Sequence, residues 1–126
     1  MRSVAYDAGP LIAAERSDRR FWAEHRIRLE LGIVPCVPSP IVAQVSRSPR
    51  QVQLRRLLRG CEVVALDEAG AHQTGALLGK SRTTDIADAV LVNMAVARTA
   101  DIVTSDREDI ERLVATTRVR IRVIDT

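Results

Sequence analysis

The stretch Thr83-Thr84-Asp85-Ile86-Ala87-Asp88-Ala89-Val90-Leu91-Val92, followed by Ala100-Asp101-Ile102-Val103-Thr104-Ser105-Asp106, decides the reading of this chain. It reads as a loop, a helix opening on two carboxylates, a short strand, and an acid just beyond that strand. Residues 85–99 are mostly apolar (Ile86, Ala89, Val90, Leu91, Met94, Ala95, Val96), which predicts a largely buried helix. Setting the start of a buried helix beside another carboxylate is electrostatically costly unless a cation or hydrogen bonds compensate. That tension marks a candidate site.

The remaining sequence sets the frame around it. A chain of 126 residues is long enough for one domain, 1–126, with an ordinary core. Hydrophobic residues at 46% and charged residues at 28% give a globular balance rather than a disordered one. No apolar run reaches the length of a membrane span, and Asp7 interrupts any leader-like pattern at once, so a cytoplasmic protein without membrane contact is expected. Cys36 and Cys61 stand apart in apolar runs, the setting of buried thiols rather than of a disulfide or zinc site.

Upstream and downstream of the central helix, strand and helix signals alternate. Residues 3–6 form a short buried strand that Asp7 ends, and Gly9-Pro10 starts a helix with proline at its first position. Further helices are expected over 20–31, stopped by Gly32, and after Ser39-Pro40. Ser48-Pro49-Arg50-Gln51 reads as a capping box, and Asp67 opens another helix. Strands fall at 33–37, 61–66 and 102–104, a second box at Ser105-x-x-Glu108, and an edge strand at 119–124. One or two helices between successive strands imply a mainly parallel sheet in a three-layer α/β/α fold.

In such a sheet, functional groups gather beyond the carboxyl ends of the strands at a topological switch point. Asp7 follows the first strand, Asp106 follows the fourth, and Asp88 lies one turn inside the central helix, so the three are expected to converge. Oxygen ligands without His or Cys suit Mg²⁺ or Mn²⁺ rather than zinc. The chemistry such a cluster supports is phosphodiester hydrolysis. Plain structural roles compete at each acid: Asp85 fits an N-cap, and Asp88 and Asp106 fit first-turn acids that a helix dipole favours. Asp7 has no obvious capping role, whereas Asp109, three residues after Asp106, fits a solvated helix position.

Charge is unevenly spread. The net charge is +3, and residues 47–59 hold Arg47, Arg50, Arg55, Arg56 and Arg59 with no acid among them. A basic surface of this kind, with Arg47, Arg50, Arg55 and Arg56 as candidate contacts, suits an enzyme that acts on a polyanion. A solvated helix face in an arginine-rich chain explains it equally well.

The motifs Tyr6-Asp7-Ala-Gly-Pro-Leu-Ile, Pro38-Ser-Pro-Ile-Val-Ala-Gln44-Val, Asp85-Ile-Ala-Asp88-Ala and Val103-Thr104-Ser-Asp106 together resemble the ordered motifs of PIN domains. The small single-domain form is similar to VapC-type toxins of toxin–antitoxin pairs. The resemblance implies a Mg²⁺- or Mn²⁺-dependent ribonuclease whose acids are Asp7, Asp88 and Asp106, an RNA substrate, an antitoxin partner and a homodimer. It departs from the family at Gln44, where a glutamate is usual: an amide oxygen can still orient water but adds no negative charge. Asp85 or Asp109 could supply that charge, with Thr104 in support. The alternative is a catalytically weakened module that works by binding protein or RNA. The same resemblance makes residues 20–31, with Phe21, Trp22 and Ile27, a candidate antitoxin groove.

Other classes fail on identifiable residues. A haloacid-dehalogenase phosphatase needs Asp-x-Asp where Asp7-Ala8-Gly9 stands, and a receiver domain needs an acid pair there. Neither a dinucleotide fingerprint nor a P-loop is present. His25 and His72 fall in amphipathic helical stretches, are expected to face solvent, and offer no partner to Ser17, Ser39 or Ser81.

Overall fold

The computed structural model describes residues 3–126. In chain order its elements are β1 (Ser3–Tyr6), α1 (Ala8–Glu15), α2 (Arg19–Glu30), β2 (Cys36–Pro38), α3 (Ser39–Val45), α4 (Val52–Arg59), β3 (Glu62–Val64), α5 (Glu68–Ser81), α6 (Ile86–Arg98), β4 (Ala100–Thr104), α7 (Arg107–Thr117) and β5 (Val123–Asp125). The sheet is parallel throughout, in the order β3-β2-β1-β4-β5. The chain therefore builds outward from β1 to one side and then crosses back to lay β4 on the other. The switch point lies between β1 and β4, with Ser3 to Tyr6 in register with Ala100 to Val103.

β4 is wholly buried, and α6 buries Ala87, Ala89, Val90, Leu91, Val92 and Ala95, which takes it nearly all round its circumference. That is why the sequence there reads as an apolar run rather than one stripe. α6 packs against α3, α5, α7, β1 and β4, while α1 packs against α2, α3 and α4. This is the expected three-layer arrangement. Tyr6, Leu11, Ile41, Leu54, Leu91 and Ile102 are among its fully buried side chains.

Helix starts follow local chemistry closely. Asp18, Asp67 and Asp85 each accept an N–H from three residues on, at 2.9, 2.8 and 3.0 Å. Gly32, at φ 80, stops α2 as expected. Several boundaries differ from expectation. β2 begins at Cys36, not at residue 33, because the chain after α2 first turns on Gly32. β3 covers only Glu62–Val64, and β5 only Val123–Asp125.

Neither capping box opens its helix as expected. Gln51 Oε1 accepts from Arg47 N (2.6 Å) and Ser48 N (3.0 Å), so it clamps a turn ahead of α4. Ser105 caps nothing: α7 is entered through Asp106 without a side-chain cap bond. α5, α6 and α7 close on Arg82, Thr99 and Arg118 in the left-handed region, where glycine was absent as a signal. Among the described residues, no helix is long and apolar enough to cross a membrane.

Candidate active site at the carboxyl edge of the sheet

Asp7 is the first residue past β1 and is only 4% exposed. Its backbone N–H donates to Val103 O (3.0 Å), which ties it to the neighbouring strand. Contrary to expectation it does cap a helix: Oδ1 accepts from Ala8 N at 2.8 Å, so α1 starts at Ala8 rather than at Pro10. The other oxygen is free of the helix and accepts from Thr104 Oγ1 at 2.6 Å. Thr104 is fully buried at the end of β4, and its hydroxyl oxygen in turn accepts from Asp106 N at 2.9 Å. One hydroxyl thus fixes both acids at the switch point.

Gly9 sets the spacing of the same two segments. A Cβ on Gly9 would fall on Ser105 Oγ and come within 3.1 Å of Ser105 N. Only a residue without a side chain lets α1 lie so close to the turn that carries Asp106.

Asp88 is half-buried on the first turn of α6. Its carboxyl is pushed up to about 7, first by desolvation, then by the charges of Asp7 and Asp85, a hydrogen bond shared with Asp85, and the charge of Asp106. Asp106 is also raised: partial desolvation leads, followed by a hydrogen bond with Asp109 and the charges of Asp109, Asp7 and Glu108. Asp7, Asp88 and Asp106 therefore feel one another, and Asp85 and Asp109 join from the flanks. Among the described residues no Lys, Arg or His forms an ion pair with Asp7, Asp85, Asp88 or Asp106.

Beside this cluster opens a cavity of about 700 Å³. Gln44 lines it from α3, Thr83, Thr84 and Asp85 from the loop before α6, Asp88 from α6, and Asp109 and Arg112 from α7. Gln44 thus shares the cavity with Asp85, Asp88 and Asp109. Asp7 and Asp106 sit beside the cavity rather than on its lining.

An oxygen-only, negatively charged donor set that forms no ion pair among the described residues fits a hard divalent ion such as Mg²⁺ or Mn²⁺. Among the described residues, no three acid, His or Cys side chains stand at the mutual distances of a closed metal shell. The fit is to a cation held by one or two carboxylates with water completing its shell, the habit of Mg²⁺.

The other expected residues are dispersed. Arg50, Arg55 and Arg56 do not line the cavity. Arg47 donates to Ala43 O (2.7 Å), and Arg56 lies over the Trp22 ring at 4.5 Å. Phe21 is buried, whereas Trp22 is half-buried with Nε1 donating to Ala14 O (3.0 Å), so both rings find packing. Ile27 is 56% exposed.

His25 corrects the solvent-facing expectation. It is 3% exposed, its Nδ1 is 2.7 Å from Tyr6 Oη, and Arg28 Nη1 donates to that same oxygen at 3.1 Å. Burial, with the charges of Arg28 and Arg56, lowers His25 to about 4 and keeps it neutral. Its spacing of four from Phe21 places both on one helix face, a signal that could have been read. His72 is exposed as expected. A cavity residue that sequence reasoning passed over is Arg112, which belongs to no recognisable motif.

No family model matches the chain, and no curated protein matches it. Solved structures do. A chain of VapBC2 from Rickettsia felis, in a complex bound to a DNA fragment from its promoter, matches at TM-score 0.70 and 13% identity over 98% of both chains. A chain of FitAB bound to an IR36 DNA fragment matches at TM-score 0.63 and 12% identity, over 97% of this chain and 94% of the other. These findings overturn the assignment to PIN-domain, VapC-type toxins drawn from the motifs. No family model carries it, and the structural likenesses, with proteins of DNA-bound complexes, lie at an identity where only architecture is shared. Four short motifs around a switch point are what this sheet topology needs to place acids together, so they do not single out one family. What is established is the fold shared with a chain of each complex.

Proposed function

We propose that the chain is a metal-dependent endoribonuclease acting as the toxic partner in a toxin–antitoxin pair. The observation that carries the reading is Asp88: a half-buried carboxyl beside Asp7, Asp85 and Asp106, none of which forms an ion pair among the described residues. One or two of Asp7, Asp88 and Asp106 would hold Mg²⁺ or Mn²⁺ directly, and the remaining acid would reach it through the water of its shell. When bound, such an ion supplies Lewis acidity that acidifies water and offsets charge on phosphoryl oxygens. Thr104 keeps Asp7 turned toward the site, and Asp85 fixes the first turn of α6 through Asp88 N. Gln44 orients water or a phosphate oxygen through its amide.

The toxin–antitoxin setting is supported by the fold shared with chains of VapBC2 and FitAB. The antitoxin would lie along α2, where Ile27, Leu29 and Leu31 are exposed and Trp22, Leu29 and Arg56 line a second cavity of about 420 Å³. Trp22→Ala should then weaken antitoxin capture more than it lowers the melting temperature of the isolated chain. Gln44, at a wall where a carboxylate would strengthen cation binding, supports a second reading in which turnover is weak and binding is the function.

The test is Mn²⁺-dependent cleavage of single-stranded RNA by the wild-type chain, Asp7→Asn and Asp88→Asn. Loss of one of these carboxylates should lower the rate by about 10²-fold or more. Equal cleavage by all three proteins removes this site from consideration.

A further inference from the structure

An acidic cavity repels the polyanion it is proposed to act on, so something beside it has to hold the strand. Among the described residues lining the cavity, Arg112 is the single basic one. We propose that Arg112, Lys80 and Arg118 form a track along α7 that holds the phosphates of single-stranded RNA as the strand leaves the cavity. The proposal rests on the ribonuclease reading above.

Arg112 is poised for exchange. Its guanidinium lies 3.8 Å from Asp109 and 3.9 Å from Glu108, outside hydrogen-bond reach, and its side chain is 66% exposed. A phosphate oxygen pair offers that fork a bidentate partner that neither acid provides. One turn further along α7 a second open cavity, of about 580 Å³, is lined by Lys80, Thr116, Thr117 and Arg118. The two cavities share both walls: Ser81 and Arg112 line the first, Lys80 and Arg118 the second. Arg118 stands just past the end of α7, with residues 113–117 between it and Arg112, about 7–9 Å further along the helix axis.

Lys80 and Arg118 have no ion-pair partner among the described residues. Thr116 and Thr117 give their hydroxyl hydrogens to Arg112 O and Val114 O, which leaves the cations as the groups there that can meet a phosphate. Both helices bordering the groove end on an arginine at φ 58, Arg82 and Arg118, in a conformation that glycine or asparagine adopts at lower cost. Positive side chains are present where backbone ease would favour their absence.

Two of the arginines around α4 are engaged elsewhere, and Arg50 and Arg55 lie outside the cavity lining. Arg47 is held by Ala43 O, and Arg56 by the Trp22 ring and Gln53. A single strand is favoured over a duplex because Asp88 is half-buried in a cavity that takes a nucleotide, not a double helix.

The experiment is anisotropy of a labelled oligouridylate of roughly a dozen nucleotides, titrated in chelator so that binding is read without cleavage. The triple variant Lys80→Gln/Arg112→Gln/Arg118→Asn should bind at least about tenfold more weakly. Its salt slope should fall by about 2, at roughly 0.7 per lost phosphate contact. Lys80→Gln/Arg112→Gln leaves the left-handed residue 118 intact, guards against a folding artefact, and should lower the slope by about 1.4. Arg50→Gln/Arg55→Gln should leave affinity and slope unchanged.

Unchanged binding in both α7 variants, an equal loss in the α4 variant, equally tight binding of duplex DNA, or no binding by the wild type overturns the track. Because no metal is present, the nuclease reading fails separately. If Asp88→Asn cleaves RNA as well as the wild type while the α7 variants lose binding, the track stands and the catalytic site falls.

Discussion

Tyr6 and Asp7 are consecutive and both buried, yet they lead into opposite kinds of polar environment. On the Tyr6 side the phenol oxygen is paired twice and no charge is left uncompensated by it. The phenol bridges His25 and Arg28, its ring meets Phe21 edge-on at 5.5 Å, and Phe21 stacks on His25 at 6.0 Å. His25 stays neutral because burial holds it down. On the Asp7 side the hydrogen bonds are also made, to Ala8 and Thr104, but the charge is not balanced. Asp88 is pushed up to about 7 because desolvation and its neighbours all penalise ionisation. A polar cluster closed on itself adds order to a core. One left open in charge is arranged for a partner from outside the chain.

The sharpest way to break this contrast is at Gly9, where a side chain would collide with Ser105. Gly9→Ala should destabilise the fold by about 1–3 kcal/mol and lower divalent-metal affinity, since the turn bearing Asp106 must move. Ser105→Gly on the same background should recover part of both, as read by calorimetry and thermal melts. Next in size is Tyr6→Phe, which strips His25 Nδ1 and Arg28 of their common partner. A loss of about 1–3 kcal/mol is expected in denaturant unfolding, with metal binding unchanged. A change in metal binding would mean that the two sides of the sheet are not independent.

The pH dependence of the metal-free protein sharpens the comparison further. His25, lowered in the fold, binds its proton less tightly there than in the unfolded chain, so its contribution to stability falls as pH drops from about 6.5 to about 4. Asp88, raised in the fold, keeps its proton longer, so its contribution falls as pH rises from about 4 to about 7. The two slopes oppose each other in the wild type. In chelator, Asp88→Asn should leave stability rising with pH across that window, and His25→Gln should leave it falling. Parallel profiles for the two variants would refute the assignment. The smallest effect is expected at Gln44→Glu, which adds a negative wall to the cavity and should tighten Mn²⁺ binding severalfold.

The same contrast explains what could be read from sequence. The positions of Asp7 and Asp106 at strand ends were legible because they follow from the alternation of elements, and Asp67 and Asp85 were legible as helix starts, whereas the cap at Asp18 was not read. The ends of β2, β3 and β5 were not: each strand is only three residues long, and β3 and β5 are partly exposed edge strands whose bounds the apolar pattern does not mark. Left-handed closures at Arg82, Thr99 and Arg118 carried no glycine to announce them. His25 was misplaced because an amphipathic pattern does not reveal that a tyrosine from a distant strand will meet a polar residue on the buried face. Family membership was over-read from four short motifs, which are also what the topology alone requires.

The central claim is that the carboxylates at the switch point bind a divalent cation. Its most direct test is a calorimetric titration of Mn²⁺ into the wild type, Asp88→Asn and Tyr6→Phe, near pH 8, above the range in which Asp88 titrates. We predict saturable binding by the wild type and Tyr6→Phe, and affinity reduced about tenfold or more in Asp88→Asn. Equal affinity in wild type and Asp88→Asn, or no binding by the wild type, would contradict the account.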